Sequence, residues 1–114
     1  MHSTPRFLQG IFAFEGQGVD KPVPVPELTY TVPLGTTTQP LYFRGGNSTD
    51  ELVTVVLLRD GAPMRYFPIG ARDAVHVQLA VVEDLDDGTV LELHLAAREG
   101  LTGTLVADLG LVEV

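Results

Sequence analysis

The chain has 114 residues, with 15 acidic and 7 basic side chains, a formal net charge of −8 and no cysteine. Its length suffices to bury a core without a metal or cross-link, so we expect one domain over residues 1–114. The lack of cysteine excludes a disulfide framework, a thiolate metal site and a cysteine nucleophile.

Charge and hydropathy also limit the partners. No cluster of Lys or Arg is present, so an anionic nucleic acid or membrane surface is not an expected partner. No apolar run reaches the roughly 18 residues of a membrane span. The N-terminal stretch lacks a basic leader and a small-residue cleavage site, which is unlike a signal peptide. With the missing cysteines, this favours a cytoplasmic location.

The residue pattern in the first third of the chain predicts strands. Residues 7–14 form the first, and three of its apolar side chains share one face: Leu8, Phe12 and Phe14. Prolines then follow at every second position: Pro22, Pro24 and Pro26. Because proline has no N–H to donate, this segment is predicted to be an extended edge strand. Residues 28–32 alternate apolar and polar side chains, as a half-buried strand does.

The middle of the chain predicts a central strand and a hairpin. A short strand is expected at residues 41–44. The sequence LVTVVLL at residues 52–58 is apolar on both faces, which is typical of a strand that is covered on both sides or that faces a partner. The turn at residues 59–63 contains Asp60-Gly61 and leads back into residues 64–69, which completes the hairpin.

Residues 73–97 predict a second hairpin, with residues 83–88 as its turn because Asp87-Gly88 favours a left-handed backbone. Its Val and Leu side chains alternate with polar ones and are expected to face the core. His76 and His94 would then lie outward, directly or diagonally opposite each other. The final strand, residues 104–114, has Leu105, Ala107, Leu109 and Leu111 on its core face, with Asp108 and Gly110 opposite.

Seven or eight short strands with Gly and Pro between them predict an all-β fold, an antiparallel seven- to eight-stranded sandwich. Residues 85–97, LDDGTVLELHLAA, resemble the crossing from strand E to strand F of fibronectin type III and related immunoglobulin-like domains, in which a Leu, a Gly-Thr pair and alternating apolar residues recur. The resemblance implies an immunoglobulin/fibronectin-III-like sandwich. It carries over no binding residues.

The two outward histidines suggest a metal site. Imidazoles opposite each other on a hairpin can reach one ion, with Glu92 as a third ligand and His2 as a fourth. Zinc, copper or nickel would suit these donors. The alternative is two polar residues on an exposed face. The acidic turn at residues 83–87 does not fit a calcium loop, because position 85, where an oxygen ligand is needed, is Leu.

Two aromatic pairs suggest a ligand platform: Tyr42, Phe43, Tyr66 and Phe67. Successive residues of a strand face opposite sides, so one member of each pair should be in the core and the other outward. An outward pair beside Arg44 and Arg65 would bind a ligand or a protein. Core packing of all four rings is the alternative.

No catalytic motif is present. The chain has no GxSxG sequence, and Gly45-Gly46 is not followed by the Lys of a phosphate-binding loop. We therefore expect a non-enzyme without a cofactor.

The apolar excess predicts an interaction module, since 45% of the residues are hydrophobic and 19% are charged. Small apolar residues also fall on the supposed solvent faces: Ala80, Val82, Val90, Ala96 and Val112. We expect a homo-oligomer or a small accessory subunit with a protein partner. The candidate interface residues are Val53, Val55, Leu57, Tyr42, Tyr66 and Phe67. The alternatives are a metal-binding module with His76 and His94 and a carbohydrate-binding module with surface aromatics.

Overall fold

The computed structural model describes residues 3–114, which form strands joined by turns. The strands are β1 (Thr4–Glu15), β2 (Gly18–Thr31), β3 (Thr38–Asn47), β4 (Val53–Arg59), β5 (Ala62–Ile69), β6 (Ala74–Gln78), β7 (Val90–Ala97) and β8 (Thr102–Glu113). None of the described residues belongs to a helix that could cross a membrane.

The strands form two antiparallel sheets that pack face to face. Sheet A has the order β1-β8-β3-β6, and sheet B has the order β2-β7-β4-β5. Successive strands alternate between the sheets except at the β4–β5 hairpin, whose Asp60 and Gly61 both have a positive φ, as a tight hairpin turn requires. This is the arrangement of an eight-stranded jelly roll. The all-β sandwich is thus confirmed, whereas the strand order differs from that of an immunoglobulin domain.

The core lies between the sheets and is built from the inward residues of both. The inward leucines of β7 and β8 are fully buried, as their alternation predicts. At the centre, the rings of Phe43 on β3 and Phe67 on β5 stack, with centroids 4.4 Å apart and planes 13° from parallel. One sheet is thereby held directly against the other by aromatic contact.

The predicted hairpin over residues 73–97 is wrong. β6 pairs with β3 in sheet A, and β7 pairs with β2 and β4 in sheet B. The reason is Leu85, which is buried in the core and whose backbone N–H and C=O both bond to Thr38, at 2.9 and 3.0 Å. Burying Leu85 requires the chain to cross from sheet to sheet, so residues 79–89 form a crossover. Gly88 does bend the backbone, with φ +80°.

Other strand predictions are confirmed. The proline-rich segment lies in β2, at an edge of sheet B, and its register with β7 shifts twice. β2 also includes residues 28–31, which the sequence suggested as a separate strand. β4 is central in sheet B, and both its faces are buried: Val53, Val55 and Leu57 face the core, while Val56 and Leu58 are covered on the outside.

A polar link joins the sheets at one end of the sandwich. The hydroxyl of Tyr30 on β2 donates to the carboxylate of Glu113 on β8 at 2.5 Å and lies 2.9 Å from the Thr38 hydroxyl. Arg6 Nε donates to the same carboxylate at 3.2 Å. The hydrogen bond from Tyr30, aided by Arg6, lowers the pKa of Glu113 below 4.5.

Because of this link, the free energy of unfolding should depend on pH in the acidic range. A carboxylate whose pKa is lowered by folding adds stability that is complete above its unfolded pKa and is lost as the pH falls through the folded value. The free energy of unfolding of the wild type should therefore fall as the pH drops below 4.5, and in Glu113→Gln this fall should be smaller. Urea unfolding at a series of pH values measures this fall in both proteins. An equal fall in the variant and the wild type would contradict the link.

The aromatic stack should carry much of the stability. Phe43→Ala leaves a cavity between the sheets and is expected to lower the free energy of unfolding by about 3–5 kcal/mol. Tyr66→Ala removes an outward ring of the same size class that is 63% exposed, so it should cost about 0.5 kcal/mol or less. Urea unfolding of both variants tests the contrast, and equal losses would show that the stack is unimportant.

Candidate functional site

The outer face of sheet A carries a shallow trough of about 630 Å³. Its lining comes from three neighbouring strands, β3, β6 and β8. We call this hollow the sheet A trough and define it by Arg44, Gly46, Ala74, His76, Val106 and Asp108. The register explains its shape, since Gly46 lies opposite both Ala74 and Val106 and forms a low apolar floor.

A polar row borders the floor. Arg44 lies opposite His76 on one side and opposite Asp108 on the other, so an imidazole, a cation and a carboxylate follow one another across the sheet. On the next strand, Gln9 of β1 is in register with Asp108. Donors and acceptors therefore line one side of an apolar surface, which is a common pattern in ligand sites.

Tyr42, two residues before Arg44 on β3, is held rigidly beside this row. Its ring lies across Gly110 so closely that a Cβ at that position would be 1.9 Å from Tyr42 Cε2. The hydroxyl donates to the Asp108 carboxylate, at 3.2 and 3.3 Å from its two oxygens. The Arg44 guanidinium carbon is 5.2 Å from the ring centroid, and the His76 ring meets the Tyr42 ring edge-on at 5.9 Å. The ring is thus fixed before any ligand arrives.

Burial and charge both act on the Tyr42 hydroxyl. Desolvation raises its pKa above 10.0, and the negative charge and hydrogen bond of Asp108 raise it further, while Arg44 opposes them. Tyr42 therefore stays neutral at physiological pH, and its hydroxyl continues to donate a hydrogen bond to the Asp108 carboxylate.

The trough continues toward the edge of the sheet. A second hollow of about 490 Å³ lies over β1 and β8, and its lining includes Gln9, Ile11, Val106 and Asp108. Ile11, Val106 and the nearby Phe7 are large apolar side chains with about half or more of their surface exposed. This face is therefore the part of the described chain where polar groups and exposed apolar surface meet.

The outer face of sheet B has a different character. A hollow of about 510 Å³ is lined there by Tyr66, Thr54, Val56 and Asp20, among others. Within residues 3–114, no side-chain hydrogen bond fixes the Tyr66 hydroxyl, and Asp20 is the only charged residue of the lining. The hollow lacks the converging polar groups of the sheet A trough.

The alternation within the two aromatic pairs is confirmed, whereas core packing of all four rings and a single outward platform are both wrong. Phe43 and Phe67 face the core, and Tyr42 and Tyr66 face outward, as alternation predicts. However, β3 and β5 belong to different sheets. The two tyrosines therefore lie on opposite faces of the sandwich and cannot form one platform.

The candidate interface through β4 also needs correction. Val53, Val55, Leu57 and Phe67 are 0–3% exposed because they form the core between the sheets. Their apolar character is explained by intramolecular packing, so they offer no surface to a partner. Tyr42 and Tyr66 are the two residues of that predicted set that reach the outside.

The predicted metal site is not assembled. His76 lies on the outer face of sheet A, and His94 lies on the outer face of sheet B. Glu92 Oε2 is 3.6 Å from His94 Nε2, which has no hydrogen-bond partner in the described chain. No group of three His, Cys, Asp or Glu residues within 3–114 is placed to hold an ion. His2 lies outside the described residues.

Three residues of the candidate site are not among those predicted from the sequence: Asp108, Gly46 and Gly110. The alternation of the last strand did place Asp108 and Gly110 opposite its core face. What was missing was the pairing of β8 with β3, which brings them beside Tyr42 and Arg44. Gly46 falls beyond the short strand expected at residues 41–44, whereas in the structure it is part of β3.

Comparison with known proteins gives similarity in fold alone. No protein-family model matches the sequence, and no curated protein matches it significantly. Among solved structures, a CBM36 domain of a multidomain xylanase from the hindgut metagenome of Trinervitermes trinervoides is 15% identical, with a TM-score of 0.61 over 95% of this chain and 96% of that one.

Two further structures show the range of proteins with this fold. A carbohydrate-binding module CBM36 in complex with calcium and xylotriose has a TM-score of 0.59 at 15% identity, over 93% of this chain and 97% of that one. The Eiger TNF of S. frugiperda has a TM-score of 0.59 at 13% identity, over 98% and 91%. The TM-scores establish a shared sandwich, and identities this low leave function to be argued from the site.

The contact between Tyr42 and Asp108 predicts that the charge of Asp108 affects the pKa of Tyr42. Asp108→Asn removes the negative charge beside the phenol, so the pKa of Tyr42 should move down toward its ordinary value of 10.0. Titration of the tyrosine ring signals by NMR measures the shift. The Tyr66 signals serve as the internal control, because that ring lies on the opposite sheet. An unchanged Tyr42 titration would contradict the contact with Asp108.

Proposed function

We propose that this chain is a non-catalytic carbohydrate-binding module that holds a saccharide in the sheet A trough. The observation that carries the proposal is an apolar floor bordered by Arg44, His76 and Asp108, with Tyr42 fixed on the far side of this polar row. The site presents binding groups and no nucleophile poised against a base.

The chemistry of a sugar ring suits this surface. A pyranose has a face of C–H groups and a rim of hydroxyls, each of which donates and accepts hydrogen bonds. The C–H face can lie on the floor formed by Gly46, Ala74 and Val106. Arg44 donates to hydroxyl oxygens, and Asp108 accepts from hydroxyl protons. Hydrogen bonds to such charged groups contribute about 1.5–3 kcal/mol each.

Preorganisation adds to the argument. Binding normally costs about 0.5–1.5 kcal/mol for each flexible side chain that becomes ordered. Tyr42 is already fixed between Gly110 and Arg44 and bonded to Asp108, so little of this cost falls on it. Tyr66, exposed and without such contacts, lacks this advantage. The sheet A trough is therefore favoured over the hollow on sheet B.

The similar structures support the same class of function. Two of them are carbohydrate-binding modules, one in complex with xylotriose, and each matches this chain over nearly its whole length. Their low identity means that the support concerns the type of module. The position of the site in this chain rests on its own residues.

Filling the trough should abolish binding. Gly46 has no positive φ, and a Cβ there would meet Val106 at an ordinary distance of 3.5 Å, so Gly46→Leu should fold normally while its side chain occupies the floor. We expect saccharide affinity to fall by about 10-fold or more through steric exclusion. Calorimetry with a panel of neutral and acidic oligosaccharides that includes xylotriose measures this.

The matched control is Gly70→Leu. It adds the same side chain at a glycine outside the trough, where a Cβ would lie 3.8 Å from its nearest neighbour, Asp73. This variant should bind like wild type. If wild type binds no member of the panel, or if Gly46→Leu and Gly70→Leu bind equally well, the proposed site is wrong.

A further inference from the structure

The four sheet edges of this protein are not equally protected against pairing with another chain. Edge strands expose unpaired N–H and C=O groups, and proteins blunt them with prolines, bulges or short length. β2 has three prolines and two register shifts, β5 has two prolines and one register shift, and β6 has only five residues. The remaining edge strand, β1, spans 12 residues and pairs with β8 without any register shift.

β1 also carries exposed apolar side chains and little charge. On its outer face, Phe7 is 52% and Ile11 is 73% exposed. Its only charged residues are Arg6 and Glu15, which cancel, in a chain of net charge −8. Two copies of this acidic chain would repel each other least at such an edge.

We infer that β1 pairs with β1 of a second copy of this chain, antiparallel about a two-fold axis at Gln9. In this register Gln9 lies opposite Gln9 of the partner copy, and Phe7 of each copy lies opposite Ile11 of the other. Two exposed apolar pairs are then covered on one face of the joined sheet. A two-fold axis at Ile11 would instead place Phe7 opposite Glu15, which covers less apolar surface.

The residues of β1 whose backbone N–H and C=O groups point away from β8 are the ones that this register pairs. In an antiparallel ladder, alternate residues direct both backbone groups to the same neighbour. Gly16 N–H bonds to the Leu101 carbonyl at 2.7 Å, in the same register that joins β1 to β8. Even-numbered residues of β1 therefore bond to β8, and the odd-numbered ones, including Phe7, Gln9 and Ile11, have their backbone groups free. Pro5 belongs to the free set, as expected of an edge proline that lacks a donor.

The pairing is independent of saccharide binding. It uses the edge of β1, whereas the six residues that define the sheet A trough lie on β3, β6 and β8. Loss of dimerisation would not remove the trough, and Gly46→Leu should leave the dimer unchanged.

A charge placed on the edge tests the dimer. Ile11→Lys sets a lysine opposite Phe7 in both halves of the pair, so the dimer should dissociate about 10-fold or more readily. Val81→Lys is the matched control, because Val81 is also 73% exposed but lies in the crossover after β6. Sedimentation velocity over a range of concentrations gives the association constants, and thermal unfolding confirms that both variants fold.

A cross-link tests the register. The chain has no cysteine, so Gln9→Cys introduces a single thiol at the two-fold axis. Residues opposite each other at a hydrogen-bonded position are about 5.5 Å apart between Cα atoms, within the range of a disulfide. Mild oxidation should link Gln9→Cys chains faster than Leu34→Cys chains. Leu34 is the control because it is 93% exposed and lies outside β1. A monomeric wild type, equal effects of Ile11→Lys and Val81→Lys, or equal rates of cross-linking would overturn the proposal.

Discussion

The stacked rings of Phe43 and Phe67 are the contact on which the arrangement of this protein depends. Each ring comes from the inner face of a different sheet, so their contact at 4.4 Å sets how the sheets lie on each other. Strand alternation then decides the rest. With Phe43 inward, Tyr42 and Arg44 must point outward, where the register places them beside Asp108 and His76. The proposed binding surface is thus a consequence of core packing.

Much of the local structure follows from the sequence, because alternation acts over neighbouring residues. The inward leucines of β7 and β8, the edge position of the prolines and the burial of β4 on both faces are all predictable in this way. Strand pairing is harder, since residues far apart in sequence meet. Leu85 shows the difficulty: it resembles part of a turn, yet its burial carries the chain from one sheet to the other.

The candidate site is predictable only in part, for the same reason. Tyr42 and Arg44 stand out as an aromatic and a cation on one strand. Asp108 and Gly110 gain their role from β8, more than sixty residues later in the chain, and the close fit of Tyr42 over Gly110 has no local signal. The histidines show the converse error, since an assumed hairpin brought together two rings that the fold separates by the full thickness of the sandwich.

The position of β8 has a consequence for how the chain acquires its structure. This last strand lies between β1 and β3, so sheet A lacks its middle until the C-terminal segment is made. During synthesis on the ribosome, β1 stays unpaired until β8, almost a hundred residues later in the chain, has been made. Closing so distant a pair is slow, and folds dominated by such contacts take milliseconds to seconds. Over that interval the nascent chain exposes its apolar N-terminal segment, which makes early chaperone contact valuable.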